Sequence, residues 1–385
     1  MKHRGHILGL LIVLIILATT ISCQAATVTV EPGQRIQVAI DSARFGDVIK
    51  VEKGLYSENL NISKRVTLVG IEMPMLDAKA SSSAITIHVE GVNVTGFELR
   101  NSRSSGIAIL SRNNSIKGNN ISGCNDGIRA ENSMNNLIKG NSINNNTNGI
   151  SLVRSSMNLI KDNNIIGNKV GEKSDCGIYL AYSDNNTISN NRITDNGDCS
   201  ICVLSSSKNA IIGNNISLNR WYGLALSELC NDNLIANNYV VNCKYGGIYL
   251  EDSRNNTIMG NKAVENGNGI YLSCNSNNNI VQSNLVSNNE NGIHLTFHSS
   301  NNTIRGNRAI NNGFGIYVTF SSGWNRIFKN SLIDNGYNAF DMGMKNQWDN
   351  GSVGNYYSDM GSKYYIPGGS GVDKHPLPPP SLDDS

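Results

Sequence analysis

Short apolar pulses separated by Asn, Gly and Ser turns run through most of this chain, and they return at a nearly constant interval. The first pulse resembles Gly-Ile-x-Leu and occurs at Gly106-Ile107, Gly127-Ile128, Gly149-Ile150, Gly177-Ile178, Gly247-Ile248, Gly269-Ile270, Gly292-Ile293 and Gly315-Ile316, with Ser200-Ile201 and Gly223-Leu224 as variants. Successive copies are 21 to 24 residues apart except for one step of 28 between Gly149 and Gly177, which places an insertion on a surface loop around Lys169 to Lys173. After a polar turn comes a second pulse, fullest as Thr-Ile-x-Gly-Asn at Thr257 to Asn261 and Thr303 to Asn307, and its last Asn recurs in every repeat from Asn119 to Asn330. A third pulse follows two residues later, as at Ile121, Ile143, Ile165, Ile193 and Ile216. Alternation with period two over a few residues marks a half-buried strand, so each repeat predicts three short strands.

Three strands in about 23 residues make one coil of a parallel β-helix, with successive coils stacked about 4.8 Å apart. A leucine-rich solenoid has a similar repeat length, but it needs Leu at several fixed positions and a helical return segment. These repeats are β-branched and Asn-rich instead. Crossover preference makes the winding right-handed. The expected fold is therefore all-β, a single-stranded right-handed parallel β-helix. Residues Gln34 to Ala43, with apolar spacing at Ile36, Ala39, Ile40 and Ala43, predict a short helix that caps the open N-terminal end. The β-helix with its cap is expected over 26–345, and an irregular C-terminal cap and tail over 346–385. The repeated Asn has a structural reading: its amide can bond to its neighbours along the axis, and it tolerates the left-handed backbone of a sharp bend.

Composition narrows the setting. The 385 residues carry 32 Lys and Arg against 30 Asp and Glu, a net charge of +2, and only 16% are charged. That balance lacks the cationic surplus that nucleic acid or an acidic membrane surface demands. At the start, Lys2, His3 and Arg4 precede an apolar run from Ile7 to Ala18, twelve residues against the roughly 20 of a membrane span. The run reads as a signal peptide over 1–25, cleaved after Cys23-Gln24-Ala25. The alternatives are a lipid on Cys23 or a retained signal, and a membrane link is expected only through one of these two. All three readings place the domain outside the cytoplasmic membrane.

Candidate chemistry comes from the residues that face outward. The position between Ile and Leu of the first pulse reads Ala108, Arg129, Ser151, Tyr179, Cys202, Ala225, Tyr249, Tyr271, His294 and Tyr317. Stacked on consecutive coils, Tyr249, Tyr271, His294 and Tyr317 form an aromatic ladder that suits sugar rings or a protein partner. If these rings stand in solvent, changing the three tyrosines to Ser alters stability by no more than about 0.5 kcal/mol each. A second stripe, Lys117, Lys139 and Lys161, serves either an anionic polymer or plain solubility. Seven cysteines follow the signal, and Asp175-Cys176 and Asp198-Cys199 share one phase of neighbouring coils, which points to a disulfide between Cys176 and Cys199. Separate buried thiols, or a soft-metal site at Cys199-x-x-Cys202, are the alternatives.

The layout resembles the pectin-lyase-like β-helix superfamily, and within it the NosD-like proteins of bacterial periplasms and archaeal surfaces. The resemblance rests on Ile36-Gln37 with Ala39-Ile40, on Gly46-Asp47-Val48-Ile49 with Gly54-Leu55-Tyr56, on the coil motifs, and on Trp348 to Asp359 with Asp373-Lys374-His375-Pro376-Leu377. Gly354 to Asp359 is similar to the Gly-Asn-Tyr-Trp-Ser-Asp end of that family, with Tyr357 in place of Trp. It implies a role in maturing a copper enzyme, nitrous oxide reductase, or a task at the cell surface, and it carries over no catalytic residue. Copper would accept Met342 with Met344, or His294 with His298, but neither pair is a complete site. Enzymes on this fold cluster carboxylates for calcium or for acid/base work, whereas here only Asp175 with Asp198 and Glu251 with Asp252 group together. No cofactor is assigned, with copper and calcium as the candidates. The expected function is a binding or scaffold surface for a polysaccharide or an extracytoplasmic protein; the alternative is a polysaccharide lyase, hydrolase or epimerase.

Overall fold

Branched residues two apart on one strand point the same way, so each Ile-x-Leu pair drives two side chains into the space that the coil encloses. A computed structural model describes residues 25–169, 175–359 and 363–379. The signal segment, apart from Ala25, and the insertion beyond Lys169 lie outside the described residues. Each coil contributes one strand to each of three parallel sheets. Sheet I has 13 strands from Leu60–Ile62 to Tyr337–Asp341; sheet II has 14, from Thr27–Val30 to Arg326–Phe328; sheet III has 14, from Leu55–Tyr56 to Tyr356–Tyr357. Register is constant, with Ile150 against Ile178, Ile178 against Ile201, and Ile201 against Leu224. All four are fully buried. Each such side chain removed from water stabilises the fold by about 1.5–3 kcal/mol, and stacking repeats that gain in every coil.

The corners are held by buried amides. Asn119 donates its backbone N–H and its Nδ2 to Oδ1 of Asn141, at 3.0 and 3.1 Å, and Asn141 donates Nδ2 to the Ile116 carbonyl at 3.0 Å. The same pattern continues from coil to coil as far as Asn330 and Asn355. A second ladder runs from Asn114 to Asn346 between sheets I and II. The left-handed residue of the bend is not the Asn but the one before it, as at Gly118, Gly140, Asp162, Gly213 and Lys329. The Asn itself is a buried bracket whose donors and acceptor are satisfied along the axis, and the turn is made beside it.

Three free cysteines take places in further ladders, a third one of Asn between sheets III and I, from Asn146 to Asn335, and one of Ser. Cys124 and Cys243 stand where other coils have Asn, and their backbone N–H groups donate to Asn146 and Asn266 Oδ1 at 2.9 Å. Cys230 interrupts a serine ladder and accepts from the Ser206 N–H at 3.4 Å. Burial pushes the Cys124 and Cys230 thiols up to about 11. They are inert packing elements.

Both ends are closed. The N-terminal helix spans Ile36–Ser42, shorter at each end than the sequence predicts because Arg35 and Ala43 are extended. Ile36 and Ile40 are fully buried, and Glu58 accepts from the first-turn N–H groups of Ile36 and Gln37 at 2.8 and 3.2 Å. At the other end, Trp348 donates Nε1 to Asp341 at 2.9 Å, and Tyr357 donates its hydroxyl to the buried Asp373 carboxylate at 3.1 Å. Tyr356–Tyr357 pairs with the sheet III strand Ser331–Ile333, so residues beyond 345 still add to the stack. Among the described residues no helix is long and apolar enough to cross a membrane.

Candidate functional site

The outer face of sheet I carries two columns of side chains. At Gly177 an added Cβ would lie 2.6 Å from Ile193 Cγ2 and 2.7 Å from the Ser200 carbonyl oxygen, so this position faces the crowded corner. Ser200 fits the equivalent place because its hydroxyl bonds to Asn219 Oδ1 at 2.9 Å. The corner residue resets the alternation, and the residue before it then points outward along with the residue after Ile. Tyr222 and Tyr249, one from each column, consequently stack face to face with ring centres 4.3 Å apart.

Tyr249, Tyr271, His294 and Tyr317 form the expected ladder, in register and half-buried. Their ring centres lie 5.1, 5.0 and 4.7 Å apart in sequence order. The faces are therefore taken up by one another, and solvent meets mainly edges and hydroxyls. Phe314 extends the stack against Tyr317 and Tyr337, at 4.4 and 5.1 Å. His294 places Nδ1 3.2 Å from Asn268 Oδ1 and Nε2 3.3 Å from the Thr319 hydroxyl. The amide oxygen only accepts, so the proton sits on Nδ1. Burial lowers the His294 pKa to about 4, and the ring is neutral at pH 7.

Below Tyr249 the ladder is interrupted, because Cys202 and Ala225 put small groups where other coils have rings. A cleft of about 710 Å³ opens there. Tyr179 stands on one side and Tyr222, backed by Tyr249, on the other; Cys199, Cys202 and Ala225 line it between them, with Trp221, Ser227, Asp198 and Glu251 also on its lining. Trp221 is stacked on Tyr245 at 4.5 Å, which steadies the indole. Burial raises the Tyr222 and Tyr249 hydroxyls well above the usual phenol range, with the Glu251 carboxylate adding to the shift.

The disulfide differs from expectation. Cys176 and Cys199 are register partners, but the bond joins Cys176 to Cys202, with Cα atoms 6.4 Å apart. Directly paired residues on parallel strands project side by side, whereas the diagonal pair on the outward face can converge. Cys199 stays outside the disulfide as a buried thiol, and burial pushes it up to about 12. Because Cys202 is oxidised, Cys199-x-x-Cys202 cannot supply two thiolates to a soft metal. Among the described residues no group of three His, Cys, Asp or Glu comes together to hold an ion. Met342 and Met344 are exposed on the C-terminal side, and Asp252 is paired with Arg254 at 3.7 Å.

Lys117, Lys139 and Lys161 are stacked in register on sheet II, as the sequence implied, and the Asp162 carboxylate lies 3.7 Å from Lys139 and 3.6 Å from Lys161. They share no surface with the cleft. Reading from the sequence missed Tyr222 and Phe314, because strict alternation from Ile places the residue before Gly inside, and it missed Trp221, which lies in the turn before its strand. The available signal was the column Cys176, Cys199, Tyr222, whose types do not match a core of Ile and Leu.

Among solved structures, the chain is similar to the Dettilon tailspike protein, with 15% identity and a TM-score of 0.58, covering 71% of this chain and 62% of the tailspike chain. It thus spans less than two thirds of that protein. It is also similar to a mannuronan C-5 epimerase A-module from Azotobacter vinelandii, with 14% identity and a TM-score of 0.50, covering 81% and 92% of the two chains. At such identities the likeness is one of fold. No curated protein matches. The right handed beta helix region matches residues 77–174, 164–309 and 275–357, and the chain belongs to that family.

Proposed function

We propose that this protein is an extracytoplasmic carbohydrate-binding β-helix whose working surface is the outer face of sheet I, centred on the cleft between Tyr179 and Tyr222 and continued by the edges of Tyr249, Tyr271, His294 and Tyr317. The observation that carries the reading is the interrupted ladder: two aromatic walls on a rigid sheet, with an apolar lining and a few polar groups, as small-ligand sites are usually built. Tyr179 and the coil of Tyr222 are two coil spacings apart, roughly 10 Å. A flat ring touching both walls at about 3.5–4 Å on each side needs about 7–8 Å, so one pyranose fits with little room to spare. The rigid backbone holds the walls in place before binding, which limits the ordering penalty. The tailspike and the mannuronan epimerase module lend support from the same fold, the latter being named for a polysaccharide substrate.

Retention on immobilised polysaccharides tests this. Tyr222→Ser should abolish retention while the circular dichroism of the β-helix is unchanged, and equal retention of the variant would remove the site. Release of ultraviolet-absorbing unsaturated product from uronate polymers, with or without calcium, would replace the binding reading by a lyase. The copper-enzyme maturation implied by the NosD-like resemblance has its own check: equilibrium dialysis against Cu(I), where stoichiometric uptake would favour it.

A further inference from the structure

We propose that the cleft selects its sugar by charge, accepting a pyranose that carries no carboxylate and turning uronates away. This deepens the carbohydrate-binding reading above and rests on it. Among the described residues that line the cleft, none is Lys, Arg or His, while Asp198 and Glu251 are both acidic, Glu251 on the side of Tyr249. Glu251 ends the strand Gly246–Glu251 and shares the outward face with Tyr249 two residues before it. The Arg129 guanidinium lies on the same column as Tyr179 but two coils earlier, and it is held by Asp126 at 3.3 Å and Glu131 at 3.1 Å. A uronate sandwiched between Tyr179 and Tyr222 would thus bring an anion beside Glu251 in a half-desolvated slot, without a cation among the described lining residues to offset it. A hydroxyl at the same place donates to that carboxylate instead, a charge-assisted bond stronger than a neutral one. An ammonium group would be equally welcome. The fold is shared with a mannuronan epimerase module, but the charge of this cleft argues for a different class of glycan.

Binding on a glycan array carrying neutral hexose, amino-sugar and uronate oligomers of equal length tests the proposal, with Glu251→Gln and Tyr222→Ser beside the unchanged protein. Neutral or amino-sugar oligomers should bind at least about tenfold more tightly than uronates at low salt, with the gap narrowing near 1 M salt as screening grows. Glu251→Gln should strengthen uronate binding several-fold. Uronates bound as tightly as neutral sugars, with all binding lost in Tyr222→Ser, would overturn the charge selection and leave the site standing. Unchanged binding in Tyr222→Ser, or no binding to any oligomer, would take both readings down together.

Discussion

The inside and the outside of the coil follow opposite rules. Within it, Asn119, Asn141 and Asn163 are one residue at one place with one set of partners, and the ladder continues unchanged to Asn355. On the outer face of sheet I, no two consecutive coils carry the same pair of residues: Asn148 with Ser151, Cys176 with Tyr179, Cys199 with Cys202, Tyr222 with Ala225. Repetition is what a stack of equivalent coils requires for stability, since each coil must satisfy the next. Irregularity is what a site requires, since a ligand is recognised only where one coil differs from its neighbours. The cleft exists because two coils lack a ring between Tyr179 and the run of rings that begins at Tyr249.

The largest effect is expected inside. Asn238 accepts from the Asn214 N–H and Nδ2 at 2.9 and 3.0 Å, and donates to the Ile211 carbonyl and Asn261 Oδ1 at 2.9 and 3.0 Å. Asn238→Ala leaves several buried groups unpaired at roughly 1–3 kcal/mol each, so a loss of about 4 kcal/mol is expected in denaturant unfolding. A loss below about 1 kcal/mol would show the ladder to be decorative. Next comes the covalent tie on the outer face of sheet I. Cys176→Ser with Cys202→Ser opens a link between residues 26 apart, and about 3 kcal/mol of stability should go with it. Thiol counting on the denatured, unreduced chain checks the pairing first.

His294 makes the comparison pH-dependent. An unfolded imidazole takes up its proton near pH 6.5, while the folded one, lowered by burial, waits until about 4. Between these values the unfolded chain binds the extra proton, so stability falls as pH drops from about 6.5 to about 4 and the full loss is in place below that. Allowing for the solvent that still reaches the half-buried ring, the loss is about 2 kcal/mol. Melting curves at pH 7 and pH 4.5 should separate in the native protein and draw together in His294→Phe.

The sequence shows the inside far better than the outside. Fixed spacing from Gly106 to Gly315 is sufficient for the ten central coils, their register and the ladder from Asn119 to Asn330, because a repeat states the same contact many times; the coils before Gly106 lack the motif and add to the stack unannounced. It is a poor guide to the outer face for one local reason. The inward Gly of the corner shifts the alternation by one, so the column holding Cys176, Cys199 and Tyr222 falls on the wrong side in a strict period-two reading, and the disulfide partner is misassigned with it. Ring faces are also invisible in a sequence: Tyr271 stands between Tyr249 and His294 instead of facing solvent. Tyr271→Ser should therefore lower stability by about 1 kcal/mol, above the 0.5 kcal/mol or less expected of a free surface ring. A melting temperature unchanged by that substitution would restore the solvent-facing ladder.

The smallest effect should come from the outer face of sheet II, where the regular lysine stripe follows the rule of the interior without its burial. Lys139 sits between Lys117 and Lys161, and its charge is drawn on by an Asp162 carboxylate that also serves Lys161. Removing it gives up one exposed ion pair and relieves two like-charge neighbours, terms of similar size and opposite sign. Lys139→Ala should change stability by less than about 0.5 kcal/mol. It should also leave glycan binding on sheet I untouched, since the two surfaces lie on different sides of the rod. Retention on a polyanion resin at low salt, measured for both proteins, decides whether the stripe is a second binding face. A drop in Lys139→Ala larger than one lost charge explains would mean that regular positions, too, can form a site, and the division between repeating frame and irregular site would then hold only for sheet I.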